Sequence, residues 1–399
     1  MIKHKVSIGR MALTPLVIFL VHSLSSTTGT AWHRLLHRCI CAVWFDRVIV
    51  TGSLPKEGPL LLVSCHRNGA VDGFLLHSVH PRLEFMIAGR LVRQWWLRVF
   101  FSGIPVERPQ DGKADNSGSM AQCLQYLQHG GALCVFPEGT SSLGPHHLPF
   151  HSGAARLALA FEEATGRLPQ IVPVGLHYED PGHFRSRVEV TIGEPLEVSS
   201  EGRRLVALKN AINTGLLTVG TNFEDALHQE IAERAASHTN GSRYHRLKAW
   251  EGSVPAELSS RWQRLRHGSR EMVAEAPRSP LPLLLAPLAL PGYLLNAPVF
   301  MAAHVIARRL AAGPNVVALW KILAGSAAAA LWMPLALAGS VWAWGPKGAV
   351  AYAISTVLAV RSRNPLRAAW RKLRWLLASP AERKQIREIR ALLTQPNHA

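Results

Sequence analysis

The stretch GPLLLVSCHRNGAVDGFLLHSVHPRLEFMIAG (residues 58–89) holds the unit from which the fold is read. Gly58 and Pro59 punctuate the entry to LLLVS, an apolar run too short for a helix, which reads as a buried strand ending at Ser64. CHRNG follows as a loop, DGFLLHSVH is helical in pattern, and LEFMIAG is a second strand. A strand, a loop, a helix and another strand within thirty-odd residues form the repeating unit of an α/β sheet.

The same alternation continues outward. FDRVIVTG (45–52) is a strand before the unit. After it come RLVRQWWLRVF (90–100), read as a helix, and GIPVER (103–108), a strand and turn. Residues 117–129 place Met120, Cys123, Leu124 and Leu127 at helical spacing. GALCVFPEGT (131–140) is a buried strand running into a tight turn, and GAARLALAFEEA (153–164) is a helix. QIVPVGLHY (170–178) and RSRVEVTIGEP (185–195) are strands. Pro173 has no N–H to give to a ladder, which argues for an edge position or a strand start. The expected fold is α/β, a largely parallel sheet flanked by helices, with functional groups at the carboxyl ends of strands.

Composition limits the partners. Lys and Arg number 44 against 26 Asp and Glu, a formal net charge of +18, so an anionic partner is expected. Only 18% of residues are charged and 48% are hydrophobic, which fits a membrane surface better than nucleic acid, and no nucleic-acid reading motif is present. The five Cys show no repeated spacing and no CxxC, and read as reduced.

Five regions are expected. Residues 1–44 form membrane-associated N-terminal helices: a basic, then apolar leader, kept uncleaved, and AWHRLLHRCICAVW (31–44), apolar on one face and basic on the other. Residues 45–200 carry the chemistry, and 201–278 are a polar helical appendage ending near APRSPLP (276–282). Residues 279–360 are a hydrophobic membrane region: a Pro-broken segment, a stretch of 23 residues (322–344) without a charge, and a shorter apolar run to Val360. Residues 361–399 are a basic tail, placed in the cytosol by the positive-inside tendency.

Four elements point to chemistry. His66 follows a strand end and Asp72 opens the next helix. An imidazole takes a proton near neutral pH, and a carboxylate beside it fixes its tautomer. FPEGTSS (136–142) places Glu138 and a glycine turn at a strand end, where backbone N–H groups face an anion. GIPVERP (103–109) puts Arg108 after a short strand, where a guanidinium can hold a phosphate in two bonds. LPFHSGAARLALA (148–160) and IVPVGLHY (171–178) complete the set. The histidines His146, His147 and His151 lack an accompanying carboxylate cluster, so no metal is expected.

In this order, the four elements resemble the motifs of the glycerolphosphate acyltransferase superfamily, over roughly residues 45–195. The resemblance implies that His66 is the general base, Asp72 its orienting partner, and Gly103 and Arg108 the acceptor-phosphate motif. It likewise implies that Glu138, Gly139 and Thr140 position the acceptor and that Pro173 shapes the acyl or acceptor site. Three departures stand out. Five residues separate His66 from Asp72, where the family pattern has four, so the loop must bulge, with Gly69 able to allow it. Cys65 replaces a frequent Asn, and Ser141 replaces a frequent Arg, for which Arg90, Arg93 or Lys113 are possible substitutes. A second resemblance, of GYLLNAPVF (292–300) and NVVALWKIL (315–323), is to fungal-type glycerol-3-phosphate/dihydroxyacetone-phosphate acyltransferases.

The resemblance therefore implies an O-acyltransferase with no cofactor. Acyl-CoA or acyl carrier protein (acyl-ACP) would be the co-substrate, and glycerol-3-phosphate, dihydroxyacetone phosphate or 1-acylglycerol-3-phosphate (lysophosphatidic acid) the acceptor. The expected surroundings are the lipids of a bacterial cytoplasmic membrane, with the site on the cytosolic side. The alternatives are an acyltransferase for another lysolipid, or an inert lipid-binding scaffold on the same fold.

Overall fold

The computed structural model describes residues 30–394 except 56–57, 81, 108–115, 200–203, 238–240, 253 and 274–280. The expected N-terminal leader, Arg108, Lys113 and the 276–280 boundary thus lie outside the described residues. After helix α1 (Ala31–Trp44) and strand β1 (Phe45–Thr51), the quoted unit forms β2 (Leu60–Ser64), α2 (Ala70–Val79) and β3 (Leu83–Ala88). The chain continues as α3 (Gly89–Arg93), β4 (Ile104–Val106), α4 (Ser117–Gln128), β5 (Ala132–Val135), α5 (Gly153–Thr165), β6 (Gln170–Tyr178) and β7 (Ser186–Ile192).

The seven strands make one sheet in the order β1-β7-β6-β2-β5-β3-β4. All neighbours are parallel except β6 and β7, so β1 and β7 run against the other five. Strand β2 is central and buried along its whole length, as a run of Leu and Val with helices on both faces requires. Pro173 lies inside β6, which is an interior strand and not an edge. The β6–β7 ladder covers only Val174 to Tyr178, and Gly193 N–H donates to the Pro173 carbonyl just before it (2.9 Å). The proline nitrogen therefore falls where β7 has already ended, which is why an interior strand tolerates it.

One face of the sheet is covered by α1 and α2, through residues such as Ile40, Val71, Phe74 and Leu75. The other is covered by α4, α5 and α6 (Leu205–Val219), through Cys123, Leu157, Phe161 and Ile212. Helix α6 was grouped by sequence with the polar appendage, but its apolar stripe packs on the sheet. RLVRQWWLRVF is not one helix: α3 stops at Arg93, and a single 3₁₀ turn spans Leu97–Val99.

Helices α7 (Ala226–Ala235), α8 (Arg243–Ala249), α9 (Ala256–Arg264) and α10 (His267–Val273) build a separate apolar cluster around Trp262. The C-terminal α15 (Pro380–Leu393) folds back into it through Ile386, Ile389 and Leu393. Between them lie α11 (Leu281–Leu295), α12 (Ala297–Leu310), α13 (Val317–Trp344) and α14 (Pro346–Leu377). The break at Asn296 bends the α11–α12 pair by 64°. The run from 314 to 344 is long and apolar enough to cross a bilayer. Helix α14 is continuous through Pro365, so the apolar 346–360 segment and the basic stretch after it form one rod.

Candidate active site

The site forms at the carboxyl ends of β2 and β5. His66 Nδ1 lies 2.8 Å from Asp72 Oδ2, and the Asp72 side chain is fully buried. The same carboxylate accepts backbone N–H bonds from Arg67 (2.7 Å) and Asn68 (2.9 Å), and its Oδ1 accepts the Tyr178 hydroxyl at 2.6 Å. A buried carboxylate is tolerable only when so satisfied. Asp72 also sits in the first turn of α2, where the helix dipole favours a negative charge. The Tyr178 phenol is pushed well above its ordinary pKa by burial and by the Asp72 charge, so it stays a donor.

Gly69 lies in the five-residue loop between His66 and Asp72. Its φ of +57° is open to glycine and strained for residues with a Cβ, and it ends the loop as the N-cap of α2. With Nδ1 directed to Asp72, His66 Nε2 has no hydrogen-bond partner among the described residues, and the side chain keeps 17% exposure. The ring stacks on Phe136, with centroids 4.2 Å apart.

Glu138 holds the second loop against the first. Its carboxylate accepts the backbone N–H of His66 (3.1 Å) and of Leu148 (3.3 Å), and lies 3.4 Å from His147 Nδ1. Ser142 N–H returns a bond to the His66 carbonyl at 2.9 Å. Gly139 takes φ +69° and donates to the Phe136 carbonyl, which turns Gly139 and Thr140 outward to solvent. His66, Asp72, Glu138, Gly139 and Thr140 are thereby brought to one place.

The other sequence-selected residues are placed differently. Gly103 precedes edge strand β4 with φ +148°, and a Cβ there would lie 2.6 Å from the Phe85 carbonyl, so backbone packing already accounts for the glycine. The Pro173 ring faces α6: a Cβ on Gly215 would meet it at 3.2 Å. Among the three possible cations, Arg93 is paired with Glu107, Arg90 is exposed, and Lys113 is not described. Tyr178, His147 and Asn315, which donates to Ser141, were not selected by sequence. Tyr178 carried a signal as a polar residue at the carboxyl end of a buried strand, His147 lay in the His-rich patch, and Asn315 opened the 315–323 resemblance, none of which gave a role in this site.

Cys65, Glu138 and His147 offer ligand atoms within 4.8 Å of one another. A cysteine binds metal as thiolate, and burial, with the Glu138 charge next, pushes the Cys65 thiol up to about 12. Glu138 is already engaged by two N–H groups.

Comparison with known proteins matches residues 47–177 to the family described as Acyltransferase, a span that contains His66, Asp72, Glu138, Gly139, Thr140 and His147 but not Tyr178 or Asn315. Over this span the chain is similar to acyltransferases of glycerolipid synthesis. It is similar to glycerol-3-phosphate O-acyltransferase 1 of Saccharomyces cerevisiae, at 26% identity over 53% of this chain and 35% of that protein. It is similar to an uncharacterised acyltransferase of Schizosaccharomyces pombe, at 26% identity over 70% of this chain and 64% of that one. It also matches a lyso-ornithine lipid O-acyltransferase of Brucella abortus, at 33% over 37% of this chain and 57% of the relative. The chain thus spans about a third to two thirds of these relatives' lengths. A solved 1-acyl-sn-glycerophosphate acyltransferase of Thermotoga maritima aligns with a TM-score of 0.34 and 20% identity, over 46% of this chain and 76% of that one.

Proposed function

We propose that this acyltransferase domain moves a fatty acyl group from the thioester of acyl-CoA or acyl carrier protein to the hydroxyl of a glycerol-phosphate-type acceptor: glycerol-3-phosphate, dihydroxyacetone phosphate or 1-acylglycerol-3-phosphate. The observation that carries the reading is the His66–Asp72 pair, with Nδ1 held by a buried carboxylate and Nε2 free. In the proposed reaction Nε2 takes the acceptor hydroxyl proton as the oxygen attacks the thioester carbonyl. Asp72 supports the imidazolium that forms. The C–S bond then breaks, and the thiolate leaves with the proton returned by His66. Glu138 acts through the backbone, fixing the His66 N–H and the turn that carries Gly139 and Thr140.

A lysolipid acceptor other than lysophosphatidic acid is the second reading. Ser141 leaves the turn without the cation the superfamily often carries there, and one relative is named for a lyso-ornithine lipid.

The proposal includes a bilayer. Leu331, Leu335, Trp342, Trp344, Ile354 and Val357 are exposed on α13 and α14, a run of apolar surface that hydrocarbon would cover. The Arg and Lys residues after Val360 then sit at the headgroups of anionic lipid.

The test offers labelled acyl-CoA and acyl-ACP to membranes carrying wild type or His66→Ala, with each acceptor in turn. General-base catalysis contributes about 10²–10⁴-fold, so the variant should lose nearly all turnover while remaining folded. Equal product from both proteins would overturn the assignment.

A further inference from the structure

The segment NVVALWKIL (315–323) lies some 250 residues after His66 in sequence, yet its start closes over the same loops. Asn315 Nδ2 donates to Ser141 Oγ at 2.6 Å and to the Ser141 carbonyl at 2.9 Å. The Asn315 carbonyl and Val316 lie against Gly69: a Cβ on that glycine would meet them at 3.0 and 3.5 Å. Six residues on, Lys321 Nζ donates to the Gly182 carbonyl at 2.8 Å. Ala318, Ile322 and Leu323 then enter the core cluster that holds Val71, Phe74 and Leu75 of α2, the helix bearing Asp72. The apolar hairpin is therefore rooted in the catalytic core, and its root touches both the His66–Gly69 loop and the turn after Glu138.

Ser141 occupies the position where superfamily resemblance leads one to expect an arginine. Here an amide from the C-terminal region meets it instead, with both donors of one side chain on one residue. Gly139 and Thr140, which precede it, are exposed, so the turn has few other restraints besides the Gly139 and Ser142 backbone bonds. We propose that Asn315 is a positioning residue for the Gly139–Ser141 turn, so that the acceptor site of this chain is completed by its C-terminal helical region. The inference rests on the proposed acyl transfer, and deepens it by naming what shapes the acceptor side.

The experiment compares full-length wild type with Asn315→Ala, Asn315→Asp and Ser141→Arg. Steady-state kinetics are measured for acceptor and acyl donor separately, with hydrogen exchange of residues 139–144 alongside. Loss of two hydrogen bonds should raise the acceptor KM about tenfold in Asn315→Ala, with kcat and the donor KM within about twofold. Asn315→Asp should behave alike, since a carboxylate has no donor. Ser141→Arg should also weaken the acceptor, because it removes the Oγ that Asn315 grips. Exchange at 139–144 should quicken in Asn315→Ala while the rest of the sheet domain is unchanged. An unaltered acceptor KM in Asn315→Ala, or tighter acceptor binding in Ser141→Arg, overturns the proposal. So does an even loss in every parameter with loosening throughout, which marks a merely structural contact. Hydrogen exchange needs no turnover: a wild type without acyl transfer overturns the functional reading, while unchanged exchange at 139–144 overturns the Asn315 contact itself.

Discussion

Replacing Asp72 by Asn tests the centre of the mechanism with a change of one atom. In the native site the carboxylate accepts from four groups: His66 Nδ1, the Arg67 and Asn68 backbone N–H, and the Tyr178 hydroxyl. An amide presents an NH₂ toward at least one of these donors, whichever way it is turned. The larger effect is on charge. At an Nδ1–Oδ2 distance of 2.8 Å, the charge centres of imidazolium and carboxylate are about 4 Å apart, worth ~4 kcal/mol at an effective dielectric of about 20. That stabilisation exists only once His66 is protonated, so it acts on the transition state and not on the resting enzyme. At ~1.4 kcal/mol per decade, kcat/KM should fall about 10³-fold. The assay is acyl transfer from labelled thioester, with circular dichroism and thermal unfolding to show that the variant is folded. Asp72→Asn combined with His66→Ala should be no worse than His66→Ala alone, because the two act as one unit. A folded Asp72→Asn enzyme within tenfold of wild type would refute the reasoning.

Two further perturbations follow from the same geometry. Gly69→Ala forces a Cβ into a positive-φ position and within 3.0 Å of the Asn315 carbonyl, so it should destabilise by about 1–3 kcal/mol and reduce turnover; unchanged thermal unfolding and rate would contradict the bulge account. Burial lowers the His37 and His177 pKa values to about 3, chiefly by desolvation. Their neutral forms are fixed by bonds to the Phe100 and Val219 carbonyls, and His37 also meets His77. The unfolded chain takes up these protons below about pH 6.5, so this stability is whole above that pH and is lost as pH falls toward 3. Each group adds a slope of up to ~1.4 kcal/mol per pH unit. Unfolding measured from pH 7.5 to 4.5 should show it, and His37→Gln should flatten the curve.

The sheet domain was legible because its strands are short apolar runs punctuated by glycine, and because parallel strands need helices between them. The reversal of β7 was not legible: RSRVEVTI has the same alternation whichever way it runs. Of the site, His66, Asp72, Glu138 and Gly139 could be read because they lie at strand ends within local motifs. Gly69, the glycine of the longer loop, takes a φ of +57°, a conformation compatible with a bulge there. Tyr178 and Asn315 could not be ranked, because their meaning depends on contacts made across 106 and 174 residues. Gly103 and Pro173 lie where backbone and helix packing also constrain them: a Cβ at Gly103 would meet the Phe85 carbonyl, and the Pro173 ring faces Gly215.

The reach of the C-terminal hairpin can be argued from the same numbers. Its turn is at Gly345, flanked by Trp342 and Trp344 on one side and Lys347 on the other. From Gly345 to Arg361, where the basic stretch of α14 begins, the rod covers about 24 Å at ~1.5 Å per residue. From Lys321, which is tied to the catalytic domain, α13 covers about 36 Å to the same turn. These lengths bracket the ~30 Å hydrocarbon thickness of a bilayer. Tryptophans and a lysine at the tip match an interface, where an amphipathic ring and an ammonium both find water. A hairpin that crosses fully would put Lys347 opposite the catalytic domain, whereas one lying in a single leaflet would bury that ammonium in hydrocarbon. The charge at the tip therefore favours full crossing. With the five native cysteines replaced, Lys347→Cys should react with a membrane-impermeant maleimide from the side opposite to a cysteine placed at exposed Arg90. Labelling of both positions from the same side, or none at 347 until the membrane is dissolved, would show that the hairpin does not cross.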